Sequence, residues 1–158
     1  MTTLPAAAVR VQAAAEALGL AVEVRVMPDS TRTAADAAAA CGCAVGQIVK
    51  SLIFKGKTSG RPILLLVSGA NRVDEKGVAA TLGEALTRPD AGFVRDATGF
   101  AIGGIPPLGH ATPLDTWIDE DLLQYITVWA AAGTPNAVFA VNPAKLRDAT
   151  GARTIRVT

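Results

Sequence analysis

Apolar and polar residues follow one another along this chain in short, well-punctuated runs, and the period of each run predicts its element. Pro5 followed by AAAVRVQAAAEALG predicts a first helix, with proline in its first turn and Gly19 at its end. Val22–Val26, VEVRV, alternates apolar and charged residues as a half-buried strand does, and Pro28 and Asp29 close it. An alanine-rich helix over Ala34–Ala40 comes next, with Thr33 as its cap and Gly42 as its stop. After the short stretch VGQIV, the runs KSLIFKG and PILLLVSG flank the polar turn KTSGR and predict a hairpin. ILLLV is apolar on both faces, which places that strand in the middle of its sheet. Asp74 and Glu75 begin a helix that Gly83 ends, and a shorter helix over Asp90–Ala97 leads into a glycine-rich stretch.

Beyond that stretch, PLDTWID, YITVWAAAG and NAVFAVN predict three short strands, with turns at Asp119–Asp121 and at GTPN. Asn142 caps a helix with Pro143 in its first turn and Gly151 at its end, and TIRVT reads as a terminal strand. Strands in succession with helices interspersed, lacking a regular βαβ alternation, predict an α+β fold around a mixed, largely antiparallel sheet.

Composition narrows the class. At 158 residues, half of them hydrophobic and 18% charged, the chain predicts one globular domain with a real core. No apolar run approaches membrane-spanning length and the start MTTLPAAAVR lacks the regions of a signal peptide, so a cytoplasmic protein is expected. A net charge of +1 argues against coating long duplex nucleic acid, DNA included. The charge is nonetheless polarised. Lys50, Lys55, Lys57, Arg61, Arg72 and Lys76 crowd one segment, whereas Asp115–Asp121 is acidic. The first segment can meet a few phosphates, and solvated strand ends explain the same pattern. Cys41 and Cys43, spaced CGC without a second Cys/His cluster, read as a reduced pair at a helix end, and no metal or cofactor is expected.

The most unusual local chemistry lies in Gly99–His110, GFAIGGIPPLGH. Pro106 and Pro107 stiffen this loop and donate no hydrogen bonds. Free amides can come only from Gly103, Gly104 and Ile105 before the pair, and from Leu108 onward after it. Such donors can grip a carbonyl or an oxyanion, and a tight structural connection uses the same residues. Lys50 stands where a helical segment gives way to the strand SLIF, as a cation for a phosphate or carbonyl, an amine of lowered pKa, or a strand-end lysine whose head reaches water. His110, the only histidine, is the sole candidate for imidazole acid/base chemistry and equally a structural residue. There is no GxSxG elbow, no HExxH and no phosphate-binding glycine loop.

VGQIVKSLIFKG, SGANRVDEKGVA and GFAIGGIPPLGH, in that order, resemble the YbaK and prolyl-tRNA synthetase-associated editing-domain family, over nearly the whole chain from the Ala34 helix to GTPNAVFAVNPAKL. The resemblance implies a barrel-like sheet with surrounding helices, and a freestanding domain that hydrolyses the ester of a mischarged aminoacyl-tRNA, most often proline tRNA. It implies binding of the tRNA acceptor end, with prolyl-tRNA synthetase as a further partner. By the same resemblance Lys50 engages the substrate near its ester and terminal adenosine, and Gly103–Pro107, GGIPP, positions the aminoacyl group by its backbone. Gly103 and Gly104 are thus candidate catalytic positions with Lys50. Ile105, Pro106, Pro107 and His110 are candidate substrate contacts, and Ser51 and Asn71 stand beside motif positions as pocket residues. No side-chain nucleophile is implied. A non-catalytic tRNA- or synthetase-binding module of the same fold, and a hydrolase of small esters, are the alternatives.

Overall fold

The computed structural model describes residues 3–158. Helix α1, Ala6–Ala17, buries Ala8, Val11 and Ala15. Helices α2 (Ala34–Cys41), α3 (Glu75–Leu82), α4 (Ala91–Thr98) and α5 (Pro143–Thr150) share one construction. The side chains of Thr33, Asp74, Asp90 and Asn142 each accept a backbone N–H of the first turn, and Gly42, Gly83, Gly99 and Gly151 end the helices in the left-handed conformation. Satisfying both ends locally makes such short helices definite in extent.

The strands are β1 (Arg25–Val26), β2 (Ile48–Gly56), β3 (Pro62–Ser68), β4 (Leu86–Thr87), β5 (Asp115–Asp119), β6 (Val128–Ala131), β7 (Ala137–Val141) and β8 (Arg153–Ile155). They form one sheet in the order β1-β7-β6-β2-β3-β5-β8, with β4 pairing β2 off this path. The β2–β3, β2–β4, β6–β7 and β1–β7 pairs are antiparallel, and β2–β6, β3–β5 and β5–β8 are parallel. This is the expected α+β class with its mixed sheet. The strand ILLLV is central, as its composition requires, and Ile63–Val67 are completely buried. Leu64 and Leu66 pack on one side with Val11, Phe139 and Leu146, and Ile63, Leu65 and Val67 on the other with Val78, Trp117 and Ile155. A third, small cluster joins Ala37 and Ala38 of α2 to Ile48, with Trp129 against it.

The edges depart from expectation. The strand over Val22–Val26 contracts to its last two residues, because the Gln12 side chain donates to the Val22 carbonyl and accepts from the Val24 N–H, both at 2.8 Å. An amide from α1 thereby does the work of a neighbouring strand. YITVWAAAG enters the ladder only at Val128, and the turn after Asp119 is a 3-10 helix over Glu120–Gln124. The two-residue β4 has no hydrophobic run behind it, so no local pattern predicts it. Among the described residues no helix is long and apolar enough to cross a membrane.

Candidate active site

Strand β2 changes partner along its length, and the site lies where it does so. On the side away from β3 it pairs β6 at Ile48 and Val49 and β4 at Lys55 and Gly56. Lys50–Phe54 between them have no strand on that side among the described residues. The gap opens into a cavity of about 300 Å³, closed by the segment entering α2, by Ile102–Ile105 of the glycine loop, and by Trp129–Ala131 and Thr134.

Lys50 and Ser51 stand on the β2 wall of this cavity. The Lys50 ammonium donates to the Asn71 carbonyl. Asn71 is itself fixed, since its amide donates to Asp119 Oδ2 at 2.8 Å and to Asp121 Oδ2 at 2.7 Å. Asp119 is buried at the end of β5 and also accepts from the Ser68 and Asp121 N–H groups, at 3.0 and 2.9 Å. Burial draws the Lys50 pKa below the ordinary lysine value; the Asp119 carboxylate opposes this and Arg72 adds to it. An ammonium has three donors, so two remain beyond the one held by Asn71.

The facing wall is main chain. Gly103, Gly104 and Ile105 line the cavity, and their N–H groups have no hydrogen-bond partner among the described residues. Gly103 lies at φ 102°, a conformation that side chains disfavour, and a Cβ on it would sit 3.3 Å from Arg32 Nε. Gly104 must be glycine for another reason. A Cβ there would lie 2.7 Å from Thr134 backbone atoms, and the Gly104 carbonyl accepts the Gly133 N–H at 2.8 Å. The two glycines let the loop turn and seat it against Thr134, leaving its amides free.

Not every candidate from the sequence reaches the cavity. Pro106 and Pro107 are buried behind the loop, and Pro107 lies with His110 in a separate depression beside Leu18 and Thr150. His110 Nε2 is 2.7 Å from the Pro106 carbonyl, and burial lowers its pKa while that contact raises it. His110 therefore braces the loop from the far side. Asn71 supports Lys50 and does not line the cavity. Arg32, Thr31, Trp129 and Thr134 do line it and were missed, because no local pattern distinguishes them from ordinary surface or strand residues. The acidic run Asp115–Asp121 contains Asp119, but a run of charge by itself does not separate a buried carboxylate from solvated ones.

One member of the basic segment is paired with the acidic one across the sheet. Arg61 lies 3.2 Å from Asp115 and 3.6 Å from Glu84, and Arg153 lies 3.1 Å from Asp115. Arg61 is thus engaged and does not stand free for phosphate. Cys41 and Cys43 are free, and burial, with the neighbouring Cys43, pushes the Cys41 thiol up to about 11. Such a thiol stays protonated at neutral pH. Among the described residues no group of three or more His, Cys, Asp or Glu could hold a metal ion.

Residues 28–149, which contain both cavity walls, match the aminoacyl-tRNA editing domain family. The chain belongs to this family. Among curated proteins it is similar to the uncharacterised YwhH of Bacillus subtilis, 29% identical over 80% of each chain. It is also similar to EbsC of Enterococcus faecalis, to which a Cys-tRNA(Pro)/Cys-tRNA(Cys) deacylase activity is provisionally ascribed, 25% identical over 80% of this chain and 77% of that one. Among solved structures, one described as a candidate trans-editing enzyme for prolyl-tRNA synthetase superposes with a TM-score of 0.92 at 48% identity, covering 99% of both chains. The hypothetical protein APE2540 gives 0.86 at 30% identity, covering 94% of this chain and 98% of that one.

Proposed function

We propose that this editing domain is a cytoplasmic deacylase acting in trans, hydrolysing the ester of proline tRNA that carries a small non-cognate amino acid. The observation that carries the reading is that Lys50 lines one cavity of about 300 Å³ together with Gly103, Gly104 and Ile105, whose N–H groups have no partner among the described residues. An aminoacyl ester is already activated, so a site that positions it and stabilises developing negative charge can suffice. Water adds to the ester carbonyl, and the oxygen that becomes an oxyanion faces the loop amides and the ammonium. The bond to the ribose oxygen of the terminal adenosine then breaks, that oxygen takes a proton, and the free amino acid leaves. Among the described residues no carboxylate, thiol or imidazole lines the cavity to attack the ester or to activate the hydroxyls of Thr31, Thr33, Ser51 and Thr134, which suits a mechanism without a side-chain nucleophile.

A cavity of about 300 Å³ has room for a small acyl group, and hydrolysing only what is small enough to enter is the logic of an editing sieve. Prolyl-tRNA synthetase fits as a partner that presents the tRNA body, since only Lys50 and Arg32 are cationic among the residues that line the cavity.

The test is a panel of proline tRNAs charged with alanine, cysteine, serine, threonine or 2-aminobutyrate, scored for loss of the acyl group. At least one should be hydrolysed well above the buffer rate. Lys50→Ala should lower that rate by about a hundredfold or more while the protein stays folded. A panel left intact by wild-type protein overturns the reading.

A further inference from the structure

The bare stretch of β2 has a polarity that the hairpin fixes. The Ile48 carbonyl accepts the Gly69 N–H at 2.7 Å, and the Gly56 N–H donates to the Arg61 carbonyl at 3.0 Å. Main-chain groups of the even-numbered residues of β2 therefore turn toward β3, and those of the odd-numbered residues turn away. The Lys55 carbonyl obeys this rule, accepting from Thr87 Oγ1 on the β4 side at 2.9 Å. At Ser51 the rule aims one N–H and one carbonyl into the gap, and neither has a partner among the described residues. The Ser51 hydroxyl, in contrast, is covered and unpaired. Since Ser51 lines the cavity, what it presents there is its peptide edge.

An aminoacyl ester has the skeleton of one strand residue: an amino donor, a Cα bearing a side chain, and a carbonyl acceptor. No Asp or Glu lines the cavity, so the amino group must find a neutral oxygen there. We propose that the acyl group docks on Ser51 as one residue of an added strand. Its amino group donates to the Ser51 carbonyl, and its ester carbonyl accepts the Ser51 N–H from the side opposite the glycine loop. This rests on the deacylase reading and adds to it the element that recognises an α-amino acid as such. Main-chain pairing of this kind is indifferent to the side chain but sensitive to the amino group and to handedness, because the two enantiomers send their side chains to opposite faces of the added strand.

The experiment measures single-turnover hydrolysis of proline tRNA carrying the preferred small L-acyl group, its D-enantiomer, and the desamino analogue (propionyl in place of alanyl). Each rate is divided by that of uncatalysed hydrolysis in the same buffer, which removes the intrinsic effect of the amino group on ester reactivity. The enhancement should fall about tenfold or more for both the desamino and the D-acyl tRNA, as expected for loss of a charge-assisted hydrogen bond. Equal enhancement for the desamino ester overturns the pairing and leaves the deacylase standing, whereas no hydrolysis of any L-acyl tRNA overturns both. Ser51→Pro deletes the N–H that faces away from β3 and spares the hairpin ladder, so it should fold and lose about tenfold on the L-acyl substrate. A folded Ser51→Pro protein with wild-type turnover overturns the pairing. Should that variant fail to fold, the acyl series decides alone.

Discussion

His110 lies 2.7 Å from a carbonyl that can only accept, which fixes its ring as the tautomer with hydrogen on Nε2. Burial holds its pKa below the ordinary 6.5. Between those two values the unfolded chain binds more protons than the folded one, so stability is whole above about pH 6.5 and declines as pH falls through the window below it. His110→Gln keeps a donor for Pro106 and cannot titrate. Its melting temperature should therefore fall less between about pH 7 and pH 5 than that of the wild type, and parallel curves would remove His110 from the pH dependence. The residue was conspicuous in the sequence as the only imidazole beside the loop, yet its side of the loop was not legible there. Which face a turn presents depends on Thr134 and Gly133, thirty residues downstream. Lys50, by comparison, announced itself locally as a cation placed in an apolar run. Asp119 did not, because its burial is created by β3 and the Asn71 loop and not by its neighbours in sequence.

Element boundaries were most legible where the chain satisfies its own ends. Thr33, Asp74 and Asn142 and the glycines Gly42, Gly83 and Gly151 that close their helices fall where the sequence put them, since each is a contact between residues three or four apart. Legibility failed where a distant side chain competes with a ladder, and Gln12 is the clearest case. Gln12→Ala strands the Val22 carbonyl and the N–H of buried Val24, with an expected loss of about 1–3 kcal/mol. Urea unfolding should show a lower midpoint at unchanged slope. An unchanged midpoint would mean that water replaces the amide at no cost. The partner change of β2 was likewise hidden, because it follows from the positions of β4 and β6 and not from any residue in Lys50–Phe54.

Across the whole molecule, the basic segment and the acidic segment lie on neighbouring strands, and Arg61 and Arg153 converge on Asp115. Beside Lys50, the cation that lines the cavity among the described residues is Arg32, from outside the basic segment. Arg32→Glu should weaken binding of uncharged proline tRNA and flatten its salt dependence by about one phosphate contact, roughly 0.7 in the log–log slope for a single strand. Arg61→Glu, which sets a carboxylate against Asp115 and Glu84, should lower the melting temperature with less effect on that slope. Binding curves for the two variants at several salt concentrations check the assignment, and the reverse ranking would return the phosphate contact to Arg61. The divided partnership of β2 also bears on how fast its amides trade protons with solvent. Buried hairpins usually exchange slowly along their whole length. Here Lys50, Leu52 and Phe54, bonded to β3, should be slow in deuterated buffer. Ser51, in the same strand and one position away, should exchange orders of magnitude faster. A central strand with an odd-even protection pattern, erased at Ser51 when substrate occupies the gap, is the solution signature of a sheet that keeps part of one strand edge vacant for its ligand.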